Sequence, residues 1–170
     1  MEGKATDTLH VEALGAHHDR SSFASGAEPL DRFFRTQAGQ EARKRVAAPF
    51  VLVLSDDSIA GFYMLSATAI HLPELPDAVA RKLPRYPLIP ATLLGRLAID
   101  RRHKGKGYGR FLLADALYWA VRSEIASFAV IVDAKDETTR RFYERESFLP
   151  FPDQPLKLFR AMADIEMLFR

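Results

Sequence analysis

The 170-residue chain contains no cysteine. That excludes disulfides, thiol nucleophiles and thiolate metal sites, and it fits a reducing, cytoplasmic setting. No apolar run reaches 18 residues, so no membrane span is expected. The first twenty residues, MEGKATDTLHVEALGAHHDR, lack a basic start followed by an apolar stretch and do not read as a secretory signal. Internal repeats, low-complexity tracts and Ser/Gly linkers are missing. The five histidines form no evident ligand set. His17 and His18 are adjacent instead of four apart, and His10, His71 and His103 stand alone, so no metal is expected.

What is present supports a folded core. Hydrophobic residues make up 48% of the chain, and the length suits one domain over 1–170 with a loose start in residues 1–20. Net charge is only +2, but its placement is uneven. Residues 101–110, RRHKGKGYGR, hold five Arg/Lys, three glycines and no acid. A patch of that kind points to a phosphate-bearing partner.

Periodicity predicts a helix over 28–45, a hairpin of strands at 50–54 and 59–70, and an irregular excursion over 71–90. The excursion contains five prolines, with room for a short helix at Asp77–Leu83. A strand at 91–100, a helix at 107–122, a strand at 127–134 and a helix at 136–147 capped by Asp136 follow. A last strand lies within 155–169. This order implies an α/β fold with a sheet of mixed direction and helices on its faces.

The glycine turn therefore lies between a strand ending near Asp100 and a helix starting near Gly107. The first amides of a helix have no partners within it and carry partial positive charge. Glycines let a phosphate approach such amides closely. A plain basic surface turn is the alternative. No Ser or Thr follows a lysine as a P-loop requires, and a dinucleotide GxGxxG fails because residue 110 is Arg. The spacing that fits is Arg102-x-x-Gly105-x-Gly107.

That spacing, in LGRLAIDRRHKGKGYGRFLL, resembles motif A of the GCN5-related N-acetyltransferases. A second signature of that family is matched by DETTRRFYERESF. Asp136 and Thr139 take its first two positions, Tyr143 its tyrosine and Phe148 its phenylalanine. Ser147 replaces its glycine, which implies a different helix ending. FASGAEPLDRFFRTQAGQ (23–40), LLGRLAID (93–100) and the stretch 134–158 resemble the acetyltransferase toxins of type II toxin–antitoxin systems. These acetylate the amino group of aminoacyl-tRNA, and their usual partner is a ribbon-helix-helix antitoxin. Ser25 stands where the group commonly has cysteine.

The resemblance implies a GNAT fold, mostly antiparallel and splayed at the cofactor site. It implies acetyl-CoA as co-substrate. Backbone groups of Leu97, Ala98 and Ile99 would hold the pantetheine arm and stabilise the oxyanion. The Arg102 motif and the amides of Lys104, Gly105, Lys106, Gly107, Tyr108 and Gly109 would bind the pyrophosphate, with Asp136 and Thr139 of the second signature nearby. Tyr143 would protonate the departing thiolate, a phenol being neutral near pH 7. By helical position alone, Tyr143 reads equally as core. No general base stands out, which favours an α-amine, already titrating near about 8, over a lysine side chain. A small amine, a protein N-terminus or a catalytically silent coenzyme A-binding module remain open, as does a homodimer.

Basic clusters offer contacts for tRNA: Arg43, Lys44 and Arg45; Arg81, Lys82 and Arg85; Arg140 and Arg141. Each also reads as an ordinary solvated face. Arg96, mid-strand among apolar residues, faces either an active-site cleft, an acidic partner or the sheet edge.

Overall fold

A computed structural model describes residues 9–170. The strands are β1 (His10–Ala13), β2 (Ala48–Val53), β3 (Ile59–His71), β4 (Leu88–Ile99), β5 (Ala129–Asp133), β6 (Leu149–Phe151) and β7 (Gln154–Ala161). The helices are α1 (Glu28–Thr36), α2 (Ala38–Arg43), α3 (Asp77–Ala80), α4 (Tyr108–Arg122), α5 (Glu137–Arg145) and α6 (Met162–Glu166). The seven strands hydrogen-bond in the order β1-β2-β3-β4-β5-β7-β6. The pairs β1–β2, β2–β3, β5–β7 and β6–β7 are antiparallel, and β4–β5 is parallel. No described helix is long and apolar enough to cross a membrane.

The chain divides into two compact units. One takes the described residues up to Leu65 together with Arg96–Asp115. Its core joins Phe23, Phe33, Phe34, Val51, Phe62 and Ala98. Phe34 and Phe62 stack 4.0 Å apart, and Phe23 meets both edge-on. The expected helix over 28–45 is broken at Gln37. The Phe34 carbonyl, which a continuous helix would offer to the Ala38 amide, accepts instead from Arg20 Nη1 at 2.8 Å. Tyr63 of β3 donates to Asp115 of α4 at 2.5 Å, and burial pushes the Asp115 carboxyl up despite that bond.

The other unit takes Ser66–Gly95 and Ala116–Arg170. Ile70, Leu75, Ile89, Ile131, Phe151 and Phe159 lie at its centre. Leu72 and Leu75 of the proline-rich excursion are buried there, so the excursion is packed rather than loose. β4 begins at Leu88, three residues earlier than the sequence implies, because prolines keep their carbonyls as acceptors. Pro90 O accepts from Phe128 N at 2.8 Å and Pro87 O from Leu72 N at 3.2 Å. In α4, Leu112, Ala116 and Leu117 are buried, whereas Phe111 and Trp119 are exposed.

Two strands escape the sequence reading. β1 is only half-buried and carries His10 and Glu12, so no alternation marks it. It lies within the expected loose start, of which residues 1–8 are outside the described residues. β6 is three residues long and includes Pro150, tolerated because β6 is an edge strand. The last strand expected within 155–169 is β7, which ends at Ala161, and α6 follows it.

Gly61 shows how closely β3 backs the end of β4. A Cβ there would stand 2.8 Å from Ile99 Cδ1 and Leu112 Cδ1, and 2.9 Å from the Ala98 carbonyl oxygen. Gly61→Ala is expected to lower unfolding free energy by about 1–3 kcal/mol, as overpacking does. Urea denaturation of both proteins checks this, and an unchanged midpoint contradicts it.

Candidate active site

The glycine turn is built by its one acid. Asp100, 1% exposed, accepts from the Arg102 amide and Nε, both at 2.9 Å, from Arg102 Nη2 at 3.2 Å and from the Ala24 amide at 3.2 Å. The Arg101 amide donates to Ala24 O at 2.9 Å, and Lys104 Nζ to Ser25 O at 2.5 Å. The turn is thus tied to the loop that precedes α1. That loop is held in turn by buried Asp31, whose Oδ1 accepts from the Ser25 amide at 2.9 Å and hydroxyl at 2.6 Å. Ser25, where the resembling group has cysteine, serves here as a hydrogen-bond donor to a carboxylate.

Beyond Arg102 the turn opens. Gly105 and Gly107 have φ of 81° and 79°, the left-handed region that favours glycine, and no atom lies within 4 Å of where a Cβ would stand. Helical bonding of α4 starts with Phe111 N to Gly107 O at 3.1 Å. Among the described residues, the amides of Lys104–Gly109 have no acceptor. Lys104, Gly105, Lys106 and Gly107 are exposed, Gly109 half-exposed, and Tyr108 buried. Six amides without a partner, two lysines and Arg102 lie along this turn, and Asp100 is the carboxylate bonded to it. Such a cradle fits a diphosphate.

Leu97–Ile99 lead into this turn. The parallel ladder of β4 with β5 covers Thr92–Leu94 only. Leu97 and Ile99 are half-buried and Ala98 is buried. The Leu97–Ile99 stretch lies beyond those paired residues of β4.

Tyr143, in the second unit, is 5% exposed on α5. Burial pushes its phenol up, and no neighbouring charge contributes. Its position is fixed by the helix ending. The Phe148 amide donates to Tyr143 O and the Ser147 amide to Glu144 O, both at 3.1 Å, while the Phe148 ring packs 5.4 Å from the Tyr143 ring. These are the bonds and the apolar contact of a Schellman ending. Ser147 adopts φ 69°, the conformation a glycine would take. The expectation of a different ending is therefore corrected: serine enters the left-handed region, at a steric cost of about 1–2 kcal/mol. Asp136 caps α5 by accepting from the Thr139 amide at 2.8 Å. That bond chiefly lowers its carboxyl's pKa.

The remaining expected residues divide between the units. Arg43, Lys44 and Arg45 are exposed at the end of α2, with Arg45 at φ 60°. Arg96 is half-buried, its guanidinium 3.6 Å from the Phe33 ring centre, and among the described residues no acid pairs with it. In the second unit, Arg81 and Arg85 line an open pocket with Leu72, Pro73 and Asp77, and Lys82 is exposed. Arg140 is engaged by Glu137 and Glu144, leaving Arg141 as the exposed cation of that pair.

Sequence reasoning missed Asp100, Ala24 and Asp31. The lone acid ahead of a basic run was the available signal. It also missed that Glu12, His17 and His18 converge, their ligand-type atoms within 4.8 Å of one another. The geometry argues against a metal at His18. Gly15 N donates to its Nδ1 at 2.8 Å, so the ring proton is on Nε2 and points to Glu12 Oε1 at 2.5 Å. That bond is the main cause of the lowered Glu12 pKa.

Two tests follow from this geometry. Burial raises the Asp100 pKa, but the bonds from Arg102 and Ala24 outweigh it, and the net shift is downward. A carboxylate with a depressed folded pKa stabilises the fold above its unfolded value, near about 3.9, and loses that as pH falls through the folded value. Asp100→Asn is expected to be less stable than wild type at pH 7 by about 1–3 kcal/mol, the gap closing in acid. Thermal melts across pH 2–7 measure it, and a constant gap refutes the assignment. Ser147→Gly should gain about 1 kcal/mol in denaturant titration by relieving the left-handed serine. A loss of stability would refute that account.

A model of the "Acetyltransferase (GNAT) family" matches residues 16–148. A tRNA-acetylating toxin of Mycobacterium tuberculosis is 34% identical over 152 residues, covering 88% of this chain and 90% of its own. The structure of AtaT complexed with acetyl-methionyl-tRNAfMet superimposes with TM-score 0.88 at 29% identity, covering 96% and 100% of the two chains. A tyrosine-to-phenylalanine mutant of the AtaT toxin, bound to the C-terminus of the antitoxin AtaR and acetyl-CoA, gives TM-score 0.81 at 26% identity, covering 95% and 98%. With its strand order, its glycine turn and these matches, this chain belongs to the GNAT acetyltransferase family.

Proposed function

We propose that this protein is an acetyl-CoA-dependent N-acetyltransferase that modifies the α-amino group of aminoacyl-tRNA, acting as a toxin on translation. The observation that carries the reading is the row of unpartnered amides at Lys104–Gly109, opened by two left-handed glycines ahead of α4. The acceptor is supported by the tRNA-acetylating relative and by the AtaT neighbour with its acetylated tRNA.

In this reading the amides of Lys104–Gly109, with Arg102 and Lys104, hold the pyrophosphate. Leu97–Ile99 receive the pantetheine arm and donate an amide to the carbonyl oxygen as it becomes an oxyanion. The neutral α-amine attacks the thioester carbon. The C–N bond forms, the C–S bond breaks, the nitrogen loses one proton and the sulfur gains one. Tyr143 acts at the sulfur. Burial makes its phenol a weaker acid than a free one, so full transfer to a thiolate, whose thiol has a pKa near about 8.5, is uphill. Tyr143 therefore donates a hydrogen bond to the leaving sulfur and passes its proton only as the nitrogen's proton is released. The α-amine titrates near neutrality, so no dedicated base is required.

Arg81, Arg85, Lys82, Arg141 and the Arg43–Arg45 cluster supply phosphate contacts. A ribbon-helix-helix antitoxin, a cytoplasmic location, a single catalytic domain and a homodimer complete the reading. The antitoxin is supported by the AtaR complex, and the dimer by exposed Met167, Leu168 and Phe169.

Tyr143→Phe keeps the ring contacts and removes the donor. Transfer of labelled acetyl to charged tRNA is expected to slow by about 10²–10⁴-fold in kcat, with little change in KM for acetyl-CoA. Equal rates for mutant and wild type would contradict the role of Tyr143. Label on polyamines or protein N-termini, with none on charged tRNA, would replace the acceptor.

A further inference from the structure

Arg96 stands in β4 immediately before Leu97–Ile99, and alternation puts it on the same face as Ala98. That face meets α1, since Ala98 shares a core cluster with Phe33 and Phe34. The guanidinium lies over the Phe33 ring at 3.6 Å. Phe33 is 6% exposed and packed, so the platform is rigid. Yet among the described residues no carboxylate or carbonyl accepts from Arg96. The acids of α1 are engaged elsewhere: Asp31 accepts from Ser25 and Gly26, and Glu28 accepts from Arg35.

A half-buried cation without an anion is costly, and its partner is expected to be a ligand. A guanidinium carries five donors in its own plane. A ring against one face orients that plane and leaves its edges for a flat, bidentate partner such as a phosphate. Two phosphate sources exist in the reaction. The pyrophosphate of the co-substrate already has the amides of Lys104–Gly109. The acceptor's amino acid is esterified, so it offers no free carboxylate, and its nearest anion is the phosphodiester of the tRNA 3′ end.

We infer that Arg96, held on Phe33, binds the phosphodiester nearest the aminoacylated end of the acceptor. This rests on the aminoacyl-tRNA reading above. It places one acceptor contact at the very strand that receives the thioester, and it sets the amino group's reach by the length of one nucleotide.

The test is steady-state kinetics of wild type, Arg96→Met and Arg96→Lys with two acceptors: charged tRNA and an amino acid methyl ester, which has no phosphate. Methionine keeps the apolar stem over Phe33. For Arg96→Met, KM for charged tRNA should rise roughly 10- to 100-fold, and far less for the methyl ester. KM for acetyl-CoA should stay near the wild-type value. The slope of log KM for charged tRNA against log salt should fall by about 0.7, the share of one single-strand phosphate. Arg96→Lys should recover part of the loss. An unchanged KM for charged tRNA, or equal losses on both acceptors, overturns the assignment. A loss confined to acetyl-CoA moves the phosphate to the co-substrate and also overturns it. If wild type transfers nothing to charged tRNA, the acceptor reading itself falls; wild-type transfer with an indifferent Arg96→Met removes only this inference.

Discussion

The buried carboxylate of Asp100 is the contact on which the turn depends. Four donors end on it, three from Arg102 and one from Ala24. It satisfies the backbone before the turn and so allows the backbone after it to stay unsatisfied. Open amides are costly in a folded chain unless water or a ligand meets them. Here Gly105 and Gly107 leave clear space beside them, and in the proposed reading an anion would supply what the fold withholds. The same acid also ties the turn to residues 23–27 through Ala24, with Arg101 and Lys104 adding bonds to the carbonyls of Ala24 and Ser25.

Charge is arranged by contrast. The turn is cationic, solvent-exposed and governed by one acid. Tyr143 is apolar in its surroundings, and burial alone moves its pKa. The first environment favours anions, and the second keeps a proton on oxygen across the physiological range. In the proposed reading one would bind the carrier's phosphates and the other attend its sulfur.

Much of this was legible in the sequence, for a physical reason. Glycines at 105 and 107 announce left-handed backbone, and both adopt it. Asp136 announces a cap, and it caps. The hairpin of β2 and β3 and the helix α4 follow from long, strongly periodic segments. What stayed hidden depends on partners distant in sequence. Arg20 interrupts the helix at Gln37 by taking the Phe34 carbonyl. β1 has no hydrophobic alternation and exists because β2 pairs with it. Prolines 87 and 90 seemed to forbid a strand until their carbonyls found donors. Asp100 could be seen, but its four bonds could not. The convergence of Glu12, His17 and His18 needed a loop closure that spacing does not reveal.

The helix endings carry a last consequence. α2 closes as α5 does: the Arg45 amide donates to Ala42 O and the Val46 amide to Glu41 O, with Arg45 at φ 60°. Neither ending has a glycine at its left-handed corner, and at Ser147 the family signature records one. The motif is thus written in carbonyls and amides, which every residue possesses, while the letter at the corner only sets how comfortably it is read. A chain can drift at that letter, tolerate a modest strain, and keep its tyrosine in place, so a scan for the glycine overlooks members whose geometry is intact.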